Sequence, residues 1–432
     1  MAHESLRVLT FNVWALKWIS KNRVERLQAI AELLKDSDYD IICFQELWTG
    51  YDLIKRTLCR QFPHSKYWRT AVVGSGLAIF SKFTILSSHV YPYSLNGSPA
   101  ELGGDWFAGK ACVSTLLWHP ILGELEVFNT HFHAKGGEEG PEHWRAVRIS
   151  NAWEMSKLIR ASVLAGRHVI ATGDFNSNPN SVPMKIMRLH TGLVDVWETL
   201  NPSTPTSPIG PNSRANATAA IERLGLTVDS PMNTWSQGKP LDAYARRWLG
   251  KRLDYILFWS PPSSTRLKAE DVKVVMTDLT PGHTFSLSDH FGLEATFGIA
   301  TEDPGQTSVT GQLDANRRLS THSRLSEDDL LTVLGALSYE HREANRRSRR
   351  LIVYFGASVG ILLFVLIGSG FIRSENRWLA PVAAVLGAVA AWAGTTSLYV
   401  GFVWGKWETG ILENLMNDVE ETLSTHRLRH AT

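Results

Sequence analysis

The sequence predicts an α/β fold followed by a C-terminal pair of membrane-crossing helices, on three observations. Residues 6–11 alternate as a strand, residues 24–34 repeat apolar side chains at helical spacing, and residues 40–44 form a second buried strand. Short apolar runs then recur as far as Phe297, several of them ending in a polar residue. From Leu351 onward the composition changes abruptly to two long uncharged stretches.

Taken in order, the first strand ends at Asn12 and the second in Gln45-Glu46, with the helix of Val24, Leu27, Ile30, Ala31 and Leu34 between them. Further strands are expected at 76–81, 110–118 and 125–130, the last ending in His131. A helix is expected over 144–164, with Val147, Ala152, Met155, Leu158 and Ile159 on its buried side. The run 168–172 delivers Gly173-Asp174-Phe175-Asn176 into the turn Ser177-Asn178-Pro179. Residues 201–216 read as a polar loop, and late strands are expected at 253–259, 272–276 and 291–297. The globular domain is thus expected to occupy 1–300, and a polar linker ending in a basic juxtamembrane segment to occupy 301–350.

Residues 351–372 and 378–405 carry no charge, and each is long enough to cross a bilayer core of about 30 Å as a helix. Joined through 373–377, they form a helical hairpin, with Trp378, Trp404 and Trp407 as interfacial anchors. Arg342, Arg346, Arg347, Arg349 and Arg350 precede it, against Arg373 and Arg377 in the short loop. The positive-inside rule therefore places the globular domain and both termini on the cytosolic side. The same arginines offer sites for anionic headgroups. Gly387, Ala388, Ala391 and Gly394 permit close helix approach. Within a tail at 406–432, residues 412–423 read as a short amphipathic helix.

Composition narrows the function classes. Lys plus Arg number 44 against 42 Asp plus Glu, a net charge of +2, so no global basic field points to nucleic acid. Cys43, Cys59 and Cys112 are few and odd in number, which fits a reducing compartment. The first residues enter a strand pattern without a basic-plus-apolar leader, so no secretory signal is expected.

The polar strand ends carry the chemistry. Asp174 and Asn176 offer the oxygen ligands and neutral donor that a hard cation and a phosphate need, although Asp and Asn are also ordinary turn residues. Glu46 reads as the principal Mg²⁺ ligand with Asn12 nearby, because Mg²⁺ takes one or two carboxylates plus waters and phosphate oxygens; a helix cap would suit it equally. His131 and His290 are the candidate acid–base pair, and the Asp289 preceding His290 suits fixing of its tautomer. Asp254 begins another strand and is placed to orient a histidine or the attacking water. Which carboxylate pairs with which histidine stays open. Gly104 to Lys110 matches a phosphate-binding loop until Ala111 stands where Ser or Thr should hold Mg²⁺, and a strand pattern follows where a helix is required.

The set Leu9-Thr10-Phe11-Asn12, Phe44-Gln45-Glu46, Gly173-Asp174-Phe175-Asn176, Arg252-Leu253-Asp254-Tyr255 and Ser288-Asp289-His290 resembles the endonuclease/exonuclease/phosphatase superfamily, the deoxyribonuclease I-like fold, over residues 5–298. The resemblance implies a four-layer α/β sandwich of two mixed β-sheets flanked by helices, and metal-dependent hydrolysis of phosphate esters. Within the superfamily, Asn129-Thr130-His131-Phe132-His133-Ala134, the Gly104–Lys110 segment and the hairpin are similar to the neutral sphingomyelinases and the inositol phosphosphingolipid phospholipases C. That similarity implies Asn12 and Glu46 on Mg²⁺ (with Mn²⁺ as a substitute), His290 as general base, and His131 and Asn176 at the phosphate. Asp174 would bind water or a histidine, Asp254 and Asp289 would support, and Asp105 with Lys110 would form a regulatory or substrate-contacting pair.

The implied reaction is phospholipase C-type hydrolysis of membrane phosphosphingolipids, either sphingomyelin or inositol phosphosphingolipids, to ceramide and a phosphorylated headgroup. The implied setting is an intracellular membrane, endoplasmic reticulum or mitochondrial outer membrane, with anionic phospholipids as activators and neither nucleic acid nor an obligate protein as partner. A lysophospholipid-directed phospholipase C and a nuclease are the alternatives. An inositol polyphosphate phosphatase would be expected to show Cys-Asp-Arg where this chain has Leu253-Asp254-Tyr255.

Overall fold

The computed structural model describes residues 5–101, 105–203, 207–262, 265–301 and 323–430. Gly104 and most of the expected linker, 302–322, lie outside the described residues. The first of two six-stranded sheets contains β1 (Ser5–Asn12), β2 (Ile41–Gln45), β3 (His64–Tyr67), β4 (Ala78–Ser81), β11 (Thr265–Val275) and β12 (Gly292–Thr301), in the spatial order β11-β12-β1-β2-β4-β3. The second contains β5 (Thr84–Pro92), β6 (Ala111–His119), β7 (Gly123–His131), β8 (His168–Asp174), β9 (Val194–Asp195) and β10 (Asp254–Trp259), in the order β5-β6-β7-β8-β10-β9. Each sheet has one parallel pair, β1 with β2 and β7 with β8; its other pairs are antiparallel.

A parallel pair needs a crossover, and here each crossover is a helix: α1 (Arg23–Lys35) for the first sheet and α3 (Glu142–Leu164) for the second. Alternation along β1 then sets the layers. Leu6 and Val8 face the second sheet and pack with Val113, Val127, Ile170 and Ile256. Leu9 and Phe11 face outward, under Leu27, Ile30 and Leu34 of α1. On the far side, Trp153, Met155 and Ile159 of α3 cover Phe128, Val169 and Ala171. Each such side chain, fully buried, contributes roughly 1.5–3 kcal/mol. The result is helix, sheet, sheet, helix. Short helices decorate the loops: α2 (Tyr51–Leu58), α4 (Val182–Lys185), α5 (Val196–Leu200), α6 (Arg214–Leu224) and α7 (Ala243–Trp248). Of these, α6 starts inside the expected 201–216 loop, where Ser213 caps it by accepting from the Asn216 amide.

The C-terminal region departs from expectation. Helix α8 (Glu327–Ser369) runs unbroken from the expected linker into the first apolar stretch, and Ser326 with Asp329 closes a capping box at its start. Residues 327–350 are therefore helical, although their charge reads as a linker. Their Leu330, Val333, Leu337 and Ala344 form a buried stripe that joins the core cluster beneath α3. After α9 (Leu379–Leu398) and a wide turn at Tyr399–Trp404, α10 (Gly405–His430) returns along α8. It adds Leu412, Leu415, Val419 and Leu423 to the same core, so this part of the expected tail packs on the domain. Arg347 donates to Glu340 (2.6 Å) and Glu408 (2.9 Å), tying α10 to α8. Beyond that neck, α8 and α9 are long and apolar enough to cross a membrane. They expose Phe364, Leu366 and Trp392. Gly394 lies where a Cβ would come within 3.0 Å of Ser358, so the small residue there permits close helix approach.

Candidate active site

The C-terminal ends of the two parallel pairs point the same way, and their last residues meet. Asn12 ends β1 and Glu46 follows β2; His131 ends β7 and Asp174 ends β8. Because β10 runs antiparallel to β8, its first residue, Asp254, stands opposite Asp174 in register. Two glycines make this convergence sterically feasible. Gly173 has φ +142° and a Cβ there would sit 2.1 Å from the Thr130 carbonyl oxygen, so only glycine lets β8 lie beside β7. Gly76 has φ +66° and a Cβ would come within 3.0 Å of the Glu46 backbone. Glu46 and Asn176 themselves hold positive φ, 55° and 47°, as bends that turn the chain out of a strand into the site.

Asp174 lies at the centre. Its Oδ2 accepts from Asn12 Nδ2 at 3.0 Å and lies 3.3 Å from His131 Nε2 and 3.7 Å from His290 Nε2. Its Oδ1 accepts the Asn176 amide at 2.9 Å, and Asn176 Nδ2 donates to the Phe132 carbonyl. His290 Nδ1 donates to Asp254 Oδ2 at 2.9 Å. The pairing left open by the sequence is therefore His290 with Asp254, while His131, though close to Asp174, is hydrogen-bonded to Lys110. Asp289 does not hold its neighbouring histidine: at a bend in the chain it approaches Ser288 Oγ and, at 3.8 Å, Lys239. Lys110 Nζ donates to His131 Nε2 at 2.6 Å and lies 3.7 Å from Asp105. Asp105 is also 2.9 Å from His133 Nδ1.

Burial sets the protonation states. Glu46 is pushed up to about 7 and Asp174 to about 6, chiefly because a buried carboxylate loses its hydration. His131 is pulled well below the usual histidine range by burial and by the Lys110 ammonium. Burial pulls His290 down too, but the carboxylates of Asp254 and Asp174 outweigh it and raise the imidazole well above its ordinary value. Asp105 runs against its burial: Lys110 and His133 hold it well below the carboxylate range.

These donors fit a hard divalent cation. Glu46, His131 and Asp174 offer ligand atoms within 4.8 Å of one another, and so do Asp174, Asp254 and His290. Two buried carboxylates held near neutrality, with a further buried oxygen, Asp254 Oδ1, lacking a hydrogen-bond partner, make a site short of positive charge. Asn12 presents its amide nitrogen to Glu46 and Asp174, while its oxygen accepts from the Trp14 amide. A ligand role for Asn12 would require the amide to turn over and release Trp14.

Several supporting residues carried no role in the sequence reading. Gln45 Nε2 donates to Asn129 Oδ1 at 2.7 Å, and Asn129 Nδ2 donates to the Phe44 and Ala78 carbonyls, riveting the two sheets behind the site. Buried Arg26 donates to the Val13, Trp14 and Leu287 carbonyls, clamping the loops after Asn12 and before His290. Thr227 Oγ1 accepts from the Leu253 and Asp254 amides. A buried polar strand end flags Gln45; no local pattern flags Arg26, which sits in an ordinary helical repeat. Outside the site, Trp106 in the Asp105–Lys110 segment packs edge-on against Trp404, so the loop that carries Lys110 touches the neck of the hairpin.

Known proteins resemble this chain in family and in fold. The profile of the Endonuclease/Exonuclease/phosphatase family matches residues 9–290. The inositol phosphosphingolipids phospholipase C of Schizosaccharomyces pombe is 34% identical over 97% of this chain and 94% of its own. Sphingomyelin phosphodiesterase 2 of Homo sapiens is 26% identical over 91% of this chain and 86% of its own. Among solved structures, TDP2 from C. elegans superposes with a TM-score of 0.50 at 18% identity, over 69% of this chain and 76% of that one, a likeness of fold.

Proposed function

The chain belongs to the endonuclease/exonuclease/phosphatase family, and from that premise we propose that it is a phosphodiesterase of phospholipase C type, acting on phosphosphingolipids. The observation that carries the reading is the joining, in one chain, of the Asp254–His290 and Asp174–His131 constellation to two membrane-length helices packed on the same domain. Near full-length similarity to phosphosphingolipid hydrolases supports the substrate class.

In this reading Asp254 fixes His290 with its proton on Nδ1, leaving Nε2 to take a proton from water. The oxygen so activated attacks phosphorus in line with the ceramide oxygen, whose bond to phosphorus breaks; that oxygen takes up a proton from solvent, to which the His290 imidazolium returns its own, giving ceramide and a phosphorylated headgroup. His131, held neutral, accepts from Lys110 and so positions that ammonium beside a phosphoryl oxygen, without itself giving up a proton. Asn176 contributes a further donor, and Asp289 acts from the rim. Glu46 and Asp174, with Asn12 alongside, would hold Mg²⁺, which when bound polarises the phosphoryl oxygen and offsets developing negative charge.

The hairpin would anchor the enzyme in an intracellular membrane with domain and termini in the cytosol, raising the effective concentration of an interfacial substrate. Anionic phospholipids would meet Arg349 and Arg350 at the neck. The test is ceramide release in detergent micelles from sphingomyelin and from inositol phosphoceramide, with and without Mg²⁺, beside a His290→Ala control. Mg²⁺-dependent release, lowered by about 10²–10⁴-fold in the control, is the expected result. No release from either lipid by folded protein would sink the reading.

A further inference from the structure

Two loops at the catalytic end of the sheets hold apolar side chains out in water. In the first, residues 13–24, a tight turn closes on Ser20: its amide donates to the Leu16 carbonyl (3.0 Å) and its Oγ accepts the Leu16 amide (2.9 Å). That turn presents Trp18, 89% exposed, and its neighbour Ile19. The second loop, residues 69–76, presents Val72, 76% exposed, and Val73. Trp18 and Ala71 hold positive φ, 68° and 43°, a conformation that is costly for a residue with a Cβ and persists only where the surroundings fix it. Single exposed apolar residues are ordinary, whereas paired ones on fixed turns beside a site mark an interaction surface.

Both loops are fastened to the segment that carries Glu46. The Ala15 amide donates to the Glu46 carbonyl, and Thr49 Oγ1 to the Ala15 carbonyl. From the other side, the Leu47 amide donates to the Gly76 carbonyl and Trp48 Nε1 to the Gly74 carbonyl. The two tips therefore flank the catalytic cluster. The second loop also leads to the hairpin: the Val73 amide donates to the Phe107 carbonyl at 2.9 Å, Phe107 packs edge-on against Trp106, and Trp106 against Trp404. Helix α8 runs towards the same end. It starts where Asp329 pairs with Lys185, and by Arg347 and Leu351 it shares a cavity with Ser98 and Ala100. The apolar helices thus leave the domain on the side of the loop that carries Lys110 into the site. Neither tip loop contains Asp or Glu, and Lys17, Lys21 and Arg69 stand exposed among the apolar residues.

Resting on the reading of a lipid-hydrolysing enzyme, we propose that the Trp18–Ile19 and Val72–Val73 tips insert into the bilayer leaflet nearest the domain and seat the mouth of the site on the membrane. The occupant follows from continuity, since Phe107, Trp106 and Trp404 join the patch to helices of membrane length. Tryptophan favours the headgroup level, isoleucine and valine gain by leaving water, and the flanking cations keep their charged heads among the phosphates. The hairpin alone keeps the domain near the membrane; the two loops decide which face it turns towards it. A lipid then passes from leaflet to site without crossing water.

The test is spin labelling of the full-length protein in phosphatidylcholine proteoliposomes, on a Cys59→Ser background whose remaining cysteines, Cys43 and Cys112, are buried. Labels are placed by Ile19→Cys, Val72→Cys and, as control, Leu164→Cys, an exposed apolar residue at the far end of α3. Collisions with oxygen should dominate over collisions with a water-soluble nickel chelate at positions 19 and 72, and the reverse should hold at 164. An aqueous profile at either loop overturns the proposal and leaves the patch to a protein partner. The double variant Trp18→Ser, Val72→Ser should lower kcat/KM for vesicle-embedded phosphosphingolipid by about tenfold relative to a short-chain analogue held below its critical micelle concentration. An unchanged ratio would likewise overturn it. Membrane-buried labels without hydrolysis of any phosphosphingolipid would leave the docking face standing and sink the reaction instead.

Discussion

At the residue scale the decisive contact is His290 Nδ1 to Asp254 Oδ2, since it sets both the tautomer and the proton affinity of the proposed base. A base must be neutral to accept a proton, so kcat/KM should rise with pH through the His290 pKa, which the two carboxylates raise. Asp254→Asn removes one of those charges. It should move the acid limb of the kcat/KM profile to lower pH while lowering the plateau by about 10²-fold or more. A limb that stays in place while the rate falls would mean that Asp254 acts only in folding. His290 lies beside its sequence neighbour Asp289, yet takes its proton partner from a strand that starts at Asp254. Proximity in sequence is a poor guide here because the chain bends at Asp289 before the strand begins.

At the element scale the strand β8 and the helix α3 carry the strongest constraints. Gly173→Ala would drive a methyl group into the Thr130 carbonyl where β7 and β8 run side by side. Overpacking costs about 1–3 kcal/mol, and the positive φ adds to it, so the melting temperature in detergent should fall and Asp174 should lose its register with His131. Under α3, His190 stacks on Trp153 with ring centroids 4.5 Å apart, and burial with nearby Arg160 pulls it down to about 3. The unfolded chain takes up this proton below about pH 6.5 while the folded chain refuses it. His190 therefore leaves stability intact above pH 6.5 and erodes it as pH falls towards 3, by at most about 1.4 kcal/mol per unit. His190→Phe keeps the stacking and should flatten that acid slope in thermal unfolding measured from pH 7 to 4. An unchanged slope would place the acid sensitivity elsewhere.

At the scale of the whole molecule the catalytic domain and the two membrane-length helices are joined by shared core, not by a tether. Deleting 406–432 should strip Leu412, Leu415, Val419 and Leu423 from that core and leave an aggregating protein, whereas loss of a mere tail would leave melting unchanged; differential scanning fluorimetry separates the two. The Glu340–Arg347–Glu408 cluster ties α10 to α8 at the neck. The sequence by itself determined the α/β pattern, the apolar hairpin and the residue types of the site, because strand alternation, helical spacing and uncharged length are local properties. Edge strands β3 and β5 escaped it, being largely half-buried or exposed and so weakly patterned. The helical character of 327–350 escaped it because the charged face hides the stripe of Leu330, Val333 and Leu337. Only the tertiary structure decided the histidine–carboxylate pairing, the roles of Arg26 and Gln45, and the apolar rim of Trp18 and Val72. Each of these joins residues tens to hundreds of positions apart, and such contacts are fixed by how the two sheets pack, which no local pattern encodes.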